Sequence, residues 1–331
     1  MKKARLSVLF VLLAFSGLPF SSFASDGALS ALSSETSGKA LSLLKSMTES
    51  FSTLNYEGVF VHSEAMNMNS MRIRHSVLDD SVYESLEDLD GDKLEVLRIN
   101  DMMVCVYLDA SAVNRREPLN KPFPHFKNVE STRLLKGYNL AVNPRLNRIA
   151  GRNAKIVTLT PKDEYRFGHE FWLDQENDFL LKHDLIKSSG KLLERTQFTS
   201  VNFAPGLKVE DFTPKKGSYS EPIVEAEHKY TKNVWHFDWL PDGFELVWSD
   251  ARILNHSTTM LLLSDGLTNI SVFVEPAMTV KNVSVFRTGA TFAGETSFKT
   301  KDQLYLLTVV GEVPRITIEK LMTAFMPRHS K

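Results

Sequence analysis

The chain has 331 residues, and its 39 basic side chains (Lys and Arg) are nearly balanced by 40 acidic ones. This balance, together with the lack of any run rich in Lys and Arg, excludes a nucleic-acid-binding protein that relies on a basic surface. Hydrophobic residues make up 43% of the chain, which excludes a disordered protein, and at about 150 residues per domain the length predicts two domains.

Residues 1–24 have the features of a cleavable secretory signal peptide. A positively charged start is followed by an apolar run over residues 6–15, and small residues end the segment at Ala24, as a signal peptidase requires. A membrane anchor is the alternative, but a helix that spans a bilayer needs about 20 apolar residues, more than this run has. We therefore expect cleavage after Ala24 and a soluble mature protein outside the cytoplasm.

Cys105 is the only cysteine of the chain. A single cysteine excludes a disulfide within the chain, and its position is too late for a lipid-modified N-terminus. Cys105 lies in the apolar, strand-like residues 102–108. We interpret it as a small buried hydrophobic residue rather than a reactive thiol, which would need an exposed, electropositive setting.

One helix followed by a series of strands is predicted for the first domain. Ala40, Leu44, Met47, Phe51 and Leu54 recur at spacings of three or four residues, which places them on one face of a helix. After this helix the period of the apolar residues changes to two, which predicts strands at residues 56–61, 71–77, 94–99, 102–108, 155–160, 167–174, 179–187 and 192–203. This order predicts an open, strongly curved antiparallel sheet with a helix packed against it.

Two segments have no clean period. Residues 114–148 are rich in Pro and Asn, which predicts a long loop or lid with short helical pieces. The stretch from residue 205 to about residue 232 is punctuated by Pro and Gly, which predicts a linker. The predicted organisation is a signal peptide at residues 1–24, an N-terminal domain at 25–205, a linker at 206–232 and a C-terminal domain at 233–331.

The C-terminal domain is also predicted to be α+β. Strands are expected at residues 245–249, 260–264, 269–274 and 304–310. Asp265-Gly266 between two apolar runs is a strong hairpin signal. A closing helix is expected around Ile316 to Phe325.

No catalytic or phosphate-binding motif is found in the sequence. Two pairs of histidines could each meet on neighbouring strands. One pair is His62 and His75, and the other is His169 and His183. Such pairs can form a metal site, but single histidines on strands are more often satisfied or exposed. The sequence therefore predicts no enzyme, no metal site and no cofactor.

Some strands, among them residues 56–61 and 102–108, are apolar on both faces over part of their length. One face of an open sheet lines an interior, which is a core if it is filled and a groove for a lipid tail if it is not. From these residues alone the core is the favoured interpretation. Two interpretations are also open for three aromatic residues of the second domain. They either pack in the core or form an interface for a partner, and they are Trp235, Trp239 and Phe244.

Six short stretches resemble the RseB/MucB family and follow the order of that family. They read LNYEGVF, MRIRH, LDG followed by EV, WLPDGF, LSDGL and VGEVP, and they lie at residues 54–60, 71–75, 89–96, 239–244, 263–267 and 310–314. Together they span nearly all of the mature chain.

The resemblance implies a fold and a function. It implies a periplasmic negative regulator of a sigma-E type envelope-stress response, which binds the periplasmic segment of an RseA/MucA-like membrane anti-sigma factor and protects it from proteolysis. It also implies an α+β fold, with an N-terminal LolA/LolB-like half-open antiparallel β-barrel with packed helices and a smaller C-terminal domain. Lipopolysaccharide or another acylated envelope component is the expected signal for release. A homodimer is compatible with the resemblance.

The resemblance makes the lipid groove the favoured interpretation of the first domain. The predicted groove lining is Phe60, Ile73, Val104, Val106, Phe171 and Leu173, and the predicted anti-sigma contacts are Trp239, Phe244, Leu263 and Leu267. The alternative function is a periplasmic lipoprotein or lipid carrier similar to LolA, which leaves the second domain unexplained. A periplasmic enzyme with an unfamiliar site is the weaker third alternative.

Overall fold

The structure is a computed structural model, which describes residues 26–90, 94–100, 102–107, 131–213, 218–219, 223–224, 228–255, 257–301 and 303–328. The predicted signal peptide, residues 1–24, and residues 114–130 of the predicted loop lie outside the described residues. No helix within the described residues is both long and apolar enough to span a membrane.

The first domain consists of helix α1 (Asp26–Thr53), an antiparallel sheet and the short helix α2 (Ser131–Gly137). The strands that the chain forms before the linker are β1 (Tyr56–Glu64), β2 (Asn67–Leu78), β3 (Ser81–Asp88), β4 (Leu94–Ile99), β5 (Met102–Tyr107), β6 (Tyr138–Ile149), β7 (Arg152–Pro161), β8 (Gly168–Asp174), β9 (Leu180–Ile186) and β10 (Leu192–Asn202).

The first sheet is open. Its strands follow the order β5-β4-β3-β2-β1-β10-β9-β8-β7-β6. Although β5 and β6 are consecutive strands of the chain, they lie at opposite ends of this order, and no pairing between described residues joins them. The predicted half-open antiparallel architecture is therefore confirmed.

The sequence predicts a long loop or lid with short helical pieces over residues 114–148. Helix α2 agrees with this prediction, but the prediction is wrong for residues 138–148, which belong to β6. β6 is an edge strand, and most of its residues after Leu140 are exposed. Its pairing with β7 shifts register between Asn143 and Asn147, around Pro144. An exposed edge strand that a proline interrupts does not alternate between apolar and polar residues, which is why the pattern missed it.

The first core lies between α1 and one face of the sheet. Leu44 and Met47 of the helix belong to the same buried cluster as Phe60 of β1 and Phe198 of β10. Because a fully buried side chain of this size contributes about 1.5–3 kcal/mol, this cluster is the main reason that α1 stays on the sheet.

The second domain is a second antiparallel sheet with one helix, as predicted. Its strands are β13 (Lys229–Thr231), β14 (Trp235–Phe237), β15 (Glu245–Leu246), β16 (Ala251–Ile253), β17 (Thr259–Ser264), β18 (Asn269–Pro276), β19 (Ser284–Thr288), β20 (Thr291–Lys299), β21 (Leu304–Gly311) and β22 (Phe325–Pro327). The sheet order is β13-β16-β17-β18-β21-β20-β19, with β15 also on β17, and β14 pairs with β22. The predicted hairpin at Asp265-Gly266 is confirmed by the pairing of β17 with β18.

Helix α3 (Arg315–Ala324) buries Ile318 and Leu321 in the second core. Gly294 of β20 makes this close packing possible, because a Cβ at this position would lie 2.5 Å from Cγ2 of Ile318. A side chain on β20 here would push the helix off the sheet.

The predicted linker, residues 206–232, contains more structure than its Pro and Gly residues indicated. Val209–Phe212 form a 3₁₀ helix, and two short strands, β11 (Ser218–Tyr219) and β12 (Ile223–Val224), pair with β5. β13, at the end of the predicted linker, pairs with β16 of the second domain. The segment is thus fastened to the first sheet before it enters the second one.

Candidate functional site

Four of the six predicted groove residues lie on the same face of the first sheet. Phe60, Phe171 and Leu173 are fully buried, and Ile73 is nearly so. All four belong to the cluster that contains Leu44 of α1. Side chains of α1 therefore pack in the interior that a lipid tail would enter, and a ligand at this place requires α1 to move.

The other two predicted groove residues, Val104 and Val106, face the opposite side of the sheet. Ile73 pairs with Leu86, Leu86 with Val96, and Val96 with Cys105. Directly paired residues of neighbouring strands share a face, and successive residues of a strand alternate between faces. The register thus places Cys105 on the interior face, and the expectation that Val104 and Val106 line the same groove as Ile73 is wrong.

The face that carries Val104 is covered by the linker. Phe212 of the 3₁₀ helix is buried, and its ring lies 5.5 Å from the ring of Tyr83. Tyr83 is on the same face of β3 as Ser85. The pairing across β3, β4 and β5 places Ser85 and Val104 on one face of the sheet, so Tyr83 and Val104 share that face. The apolar residues on both faces of this part of the sheet are explained by α1 on one side and the linker on the other.

Polar side chains form a line within the interior of the first domain. Nδ1 of His169 lies 3.1 Å from Nε2 of His183, and Nε2 of His169 lies 3.5 Å from the hydroxyl of Tyr138. Burial lowers the pKa of His183 to about 4 and that of His169 well below its usual value, so both imidazoles are neutral. The predicted meeting of these two histidines is confirmed, but their facing nitrogens are occupied by each other.

The other predicted histidine pair does not form. His75 is opposite Tyr56, whereas His62 is opposite Asn69, further along the same pair of strands. Nδ1 of His62 instead lies 2.9 Å from the hydroxyl of Thr196.

The two domains meet at Arg166, a fully buried residue that the sequence did not single out. Its guanidinium donates two hydrogen bonds to the carboxylate of Asp163, at 2.9 and 3.1 Å, and one to the carboxylate of Asp265, at 2.9 Å. It also donates to the carbonyl oxygen of Asp242 at 2.5 Å. Asp242 and Asp265 belong to the second domain, so one side chain fastens two of its turns to the first domain.

Aromatic rings enclose this guanidinium. Cζ of Arg166 lies 5.0 Å from the centroid of the Phe244 ring and 5.3 Å from the centroid of the Tyr138 ring. Burial raises the pKa of Asp265, and the positive charge of Arg166 opposes this shift. Burying two opposite charges costs free energy, and burying one of them without its partner costs more. Arg166 and Asp265 therefore constrain how the domains dock.

A second group of contacts surrounds Tyr165, the neighbour of Arg166. The ring of Tyr165 lies 4.8 Å from that of Trp239 in an edge-on arrangement, and Nζ of Lys320 lies 3.9 Å from the centroid of the Trp239 ring. Lys320 also donates a hydrogen bond to the hydroxyl of Tyr165, and Thr317 donates one to its carbonyl oxygen, both at 2.8 Å. Helix α3 is thereby attached to the first domain.

The structure places the four predicted anti-sigma contacts at or near this junction. Leu263 is fully buried in the second core, and Phe244 is buried beneath Arg166. Trp239 is half-buried against Tyr165, and Leu267 packs against the first core. Their role in binding a partner stays a prediction. The stretches WLPDGF and LSDGL thus make the contact between the two domains of this chain.

Models of known families match both domains. The MucB/RseB N-terminal domain matches residues 39–216, and the MucB/RseB C-terminal domain matches residues 229–326. The chain is 31% identical over 312 residues to the sigma factor AlgU regulatory protein MucB of Pseudomonas aeruginosa, with 91% of this chain and 95% of the relative covered. It is 28% identical over 260 residues to the sigma-E factor regulatory protein RseB of Haemophilus influenzae, with 78% of this chain and 82% of the relative covered.

Solved structures give the same result. A chain of the Pseudomonas aeruginosa MucA/MucB complex is similar with a TM-score of 0.70 at 28% identity, covering 88% of this chain and 100% of that chain. The crystal structure of MucB gives a TM-score of 0.58 at 27% identity, covering 88% of this chain and 98% of that chain. With both of its domains matched in order, the chain belongs to the MucB/RseB family.

Proposed function

We propose that this protein is a periplasmic regulator that binds the periplasmic segment of a membrane anti-sigma factor and so restrains an envelope-stress sigma factor. The main support is the similarity to a chain of the MucA/MucB complex, which covers 88% of this chain and includes both domains. The signal peptide predicted at residues 1–24 supports the periplasmic location. The family is named for regulation of sigma factors, and the proposed function needs no catalytic step.

The proposed action is protection. When the protein is bound, the anti-sigma segment is shielded from the protease that would start its degradation, and the sigma factor stays inactive. Lipopolysaccharide or another acylated envelope component then weakens the complex. Such a ligand can act only if it binds a state of the protein that has lower affinity for the anti-sigma segment.

Two features of the fold suit such a change of state. An acyl chain that enters between α1 and the sheet has to displace Leu44 and Met47, which pack with Phe60 and Phe171. The same first domain holds the second one through Arg166. Movement of α1 is therefore coupled to the docking of the domains through the interior residues that α1 and the junction share, among them Tyr138.

Binding to the anti-sigma segment is the test of this proposal. The mature protein should retain the purified periplasmic segment of an RseA/MucA-like anti-sigma factor from the same organism, and a degradation assay should show slower cleavage of that segment when the protein is present. Added lipopolysaccharide should restore cleavage, whereas a lipid-free detergent control should not. Failure to retain the segment would refute the proposal that the protein is a regulator of this kind.

A lipoprotein or lipid carrier is the second candidate, favoured by the apolar face that carries Phe60, Ile73, Phe171 and Leu173. A carrier should bind an acylated probe and pass it to an acceptor vesicle without any anti-sigma segment, and a regulator should not complete this transfer. A homodimer is tested for separately, by sedimentation of the mature protein.

A further inference from the structure

The domains make a second contact at the hairpin turn between β19 and β20. The turn consists of Gly289 and Ala290, and it packs against the ends of β1 and β10 of the first domain. The amide of Ala290 donates a 3.0 Å hydrogen bond to Oε1 of Glu194. A Cβ at Gly289 would overlap the carboxyl group of Glu64, so only a glycine lets this carboxyl group reach the main chain of the turn.

This contact is partly sealed from water. Ala290 is buried in a small apolar cluster with Phe167 and Leu185 of the first domain, and Leu193 and Phe292 pack beside it. The carboxyl groups at the turn therefore lie next to apolar surface, where an ionised carboxylate is poorly solvated.

Three carboxyl groups meet at this place. Glu64 is directly opposite Glu194 in the register of β1 and β10, an arrangement that is unfavourable for two negative charges. Glu312, which follows β21 in the second domain, is close enough for its carboxyl group to interact with those of Glu194 and Glu64. Burial and the charge of Glu194 raise the pKa of Glu64, and burial and the charges of Glu194 and Glu64 raise the pKa of Glu312. Because an ionised carboxylate only accepts hydrogen bonds, two of these carboxyl groups can bond to each other only when one of them carries a proton.

The charged neighbours that the structure describes do not neutralise these carboxyl groups. His62, two residues before Glu64, lowers the pKa of Glu64, but burial and the charge of Glu194 outweigh it and leave that pKa raised. Arg287 of β19 donates to the carbonyl oxygen of Gly289 instead of a carboxyl group. Arg195, the neighbour of Glu194, is bound by two hydrogen bonds to Asp184.

We propose that Glu64 and Glu312, gathered around Glu194 and the turn, form a proton-dependent latch between the two domains, which is closed while Glu64 or Glu312 is protonated and loosens when both ionise. The latch is a property of this chain alone and does not depend on the identity of any partner.

The electrostatic environment sets the direction of the effect. Burial, followed by the charges of Glu194 and Glu64, raises the pKa of Glu312 from 4.5 to about 8. Between these two values the docked protein holds a proton that the unfolded chain has released. Raising the pH through this range therefore weakens the docked state.

The first test is urea unfolding of the mature protein between pH 6.5 and pH 8. One extra proton in the folded state makes the folding equilibrium constant fall by up to about tenfold per pH unit. Glu312→Gln keeps the shape of the side chain without its titration and should abolish this dependence. Glu319→Gln, which changes a more exposed carboxylate on α3, should retain the slope of the unchanged protein. An unchanged slope in Glu312→Gln would overturn the proposal.

The second test observes the contact directly and applies even if Glu312→Gln does not fold. Hydrogen exchange of the Gly289–Ala290 turn is measured in the unchanged protein and in Glu194→Gln, with rates corrected for the intrinsic effect of pH. In the unchanged protein the protection of the turn should fall at least tenfold between pH 6.5 and pH 8.5, while the hairpin of β17 and β18 stays protected. If the hydrogen-exchange protection of the turn does not change with pH, the proposal of a proton-dependent latch is refuted.

Discussion

Nη1 of Arg166 and Oδ2 of Asp265 lie 2.9 Å apart in an ion pair whose two side chains are completely buried. The residues are 99 positions apart in the chain and belong to different domains. Because neither charge has access to water, the docking of the domains depends on this pair. Asp265 also accepts hydrogen bonds from the amides of Leu267 and Thr268 in its own turn.

Removal of Asp265 should therefore destabilise the whole protein. Asp265→Ala leaves the guanidinium of Arg166 with Asp163 as its remaining carboxylate partner among the described residues, and the loss of one member of a buried pair costs about 3–5 kcal/mol. The free energy of unfolding, measured in urea at pH 7, should fall by this amount. Glu319→Ala, which breaks the more exposed pair with Arg315, is the control and should change it by less than about 1 kcal/mol. Equal effects of the two changes would contradict the role of the pair.

The turn at Gly243 should be sensitive to a single methyl group. Gly243 has a φ of 85°, and a Cβ at this position would lie 2.6 Å from the carbonyl oxygen of Arg133 in α2. Gly243→Ala should therefore strain the turn and also separate the domains, with a cost of about 1–3 kcal/mol. Gly190→Ala is the matched control, because Gly190 has a φ of 80° but has open space around the added Cβ.

Comparison of the two melting temperatures isolates the contact between the domains. Both variants carry the same backbone strain, so the difference between them measures the contact with Arg133. Gly243→Ala should melt at the lower temperature. If the two variants melt together, the close approach of the turn to α2 does not contribute to stability.

The interior histidines should make the protein sensitive to acid. Burial lowers the pKa of His183 to about 4, whereas the ordinary value is 6.5. Below pH 6.5 the unfolded chain therefore binds a proton at His183 that the folded protein does not bind. The contribution of this histidine to stability is lost as the pH falls toward 4, and it is opposite in sign to the contribution of Glu312. His183→Gln should reduce this loss in urea unfolding between pH 6.5 and pH 4.5, and a slope identical to that of the unchanged protein would rule out His183 as its source.

Many elements of the fold could be predicted from local pattern. Phe60, Ile73 and Phe171 occur in strands whose period of two is clear, and Asp265-Gly266 marks a hairpin that the structure contains. β6 was missed because an edge strand interrupted at Pro144 has no such period. The two faces of β5 could not be told apart, because the sequence there is apolar throughout.

The site was harder to predict than the fold. Val104 was expected in the groove, but a strand that is apolar on both sides does not show which face points inward, and only the register through Leu86 and Val96 does. Arg166 was not singled out, because an arginine beside a strand carries no local sign of burial.

The sequence by itself determined the family, the succession of α1, the strands and α3, and the residues able to form an apolar interior, because these follow from periodicity and from short motifs along the chain. Only the tertiary structure decided which charged residues are buried. The free energy of a charge such as that of Arg166 or Glu312 depends on groups from distant parts of the chain, and those groups come together only when the two sheets dock.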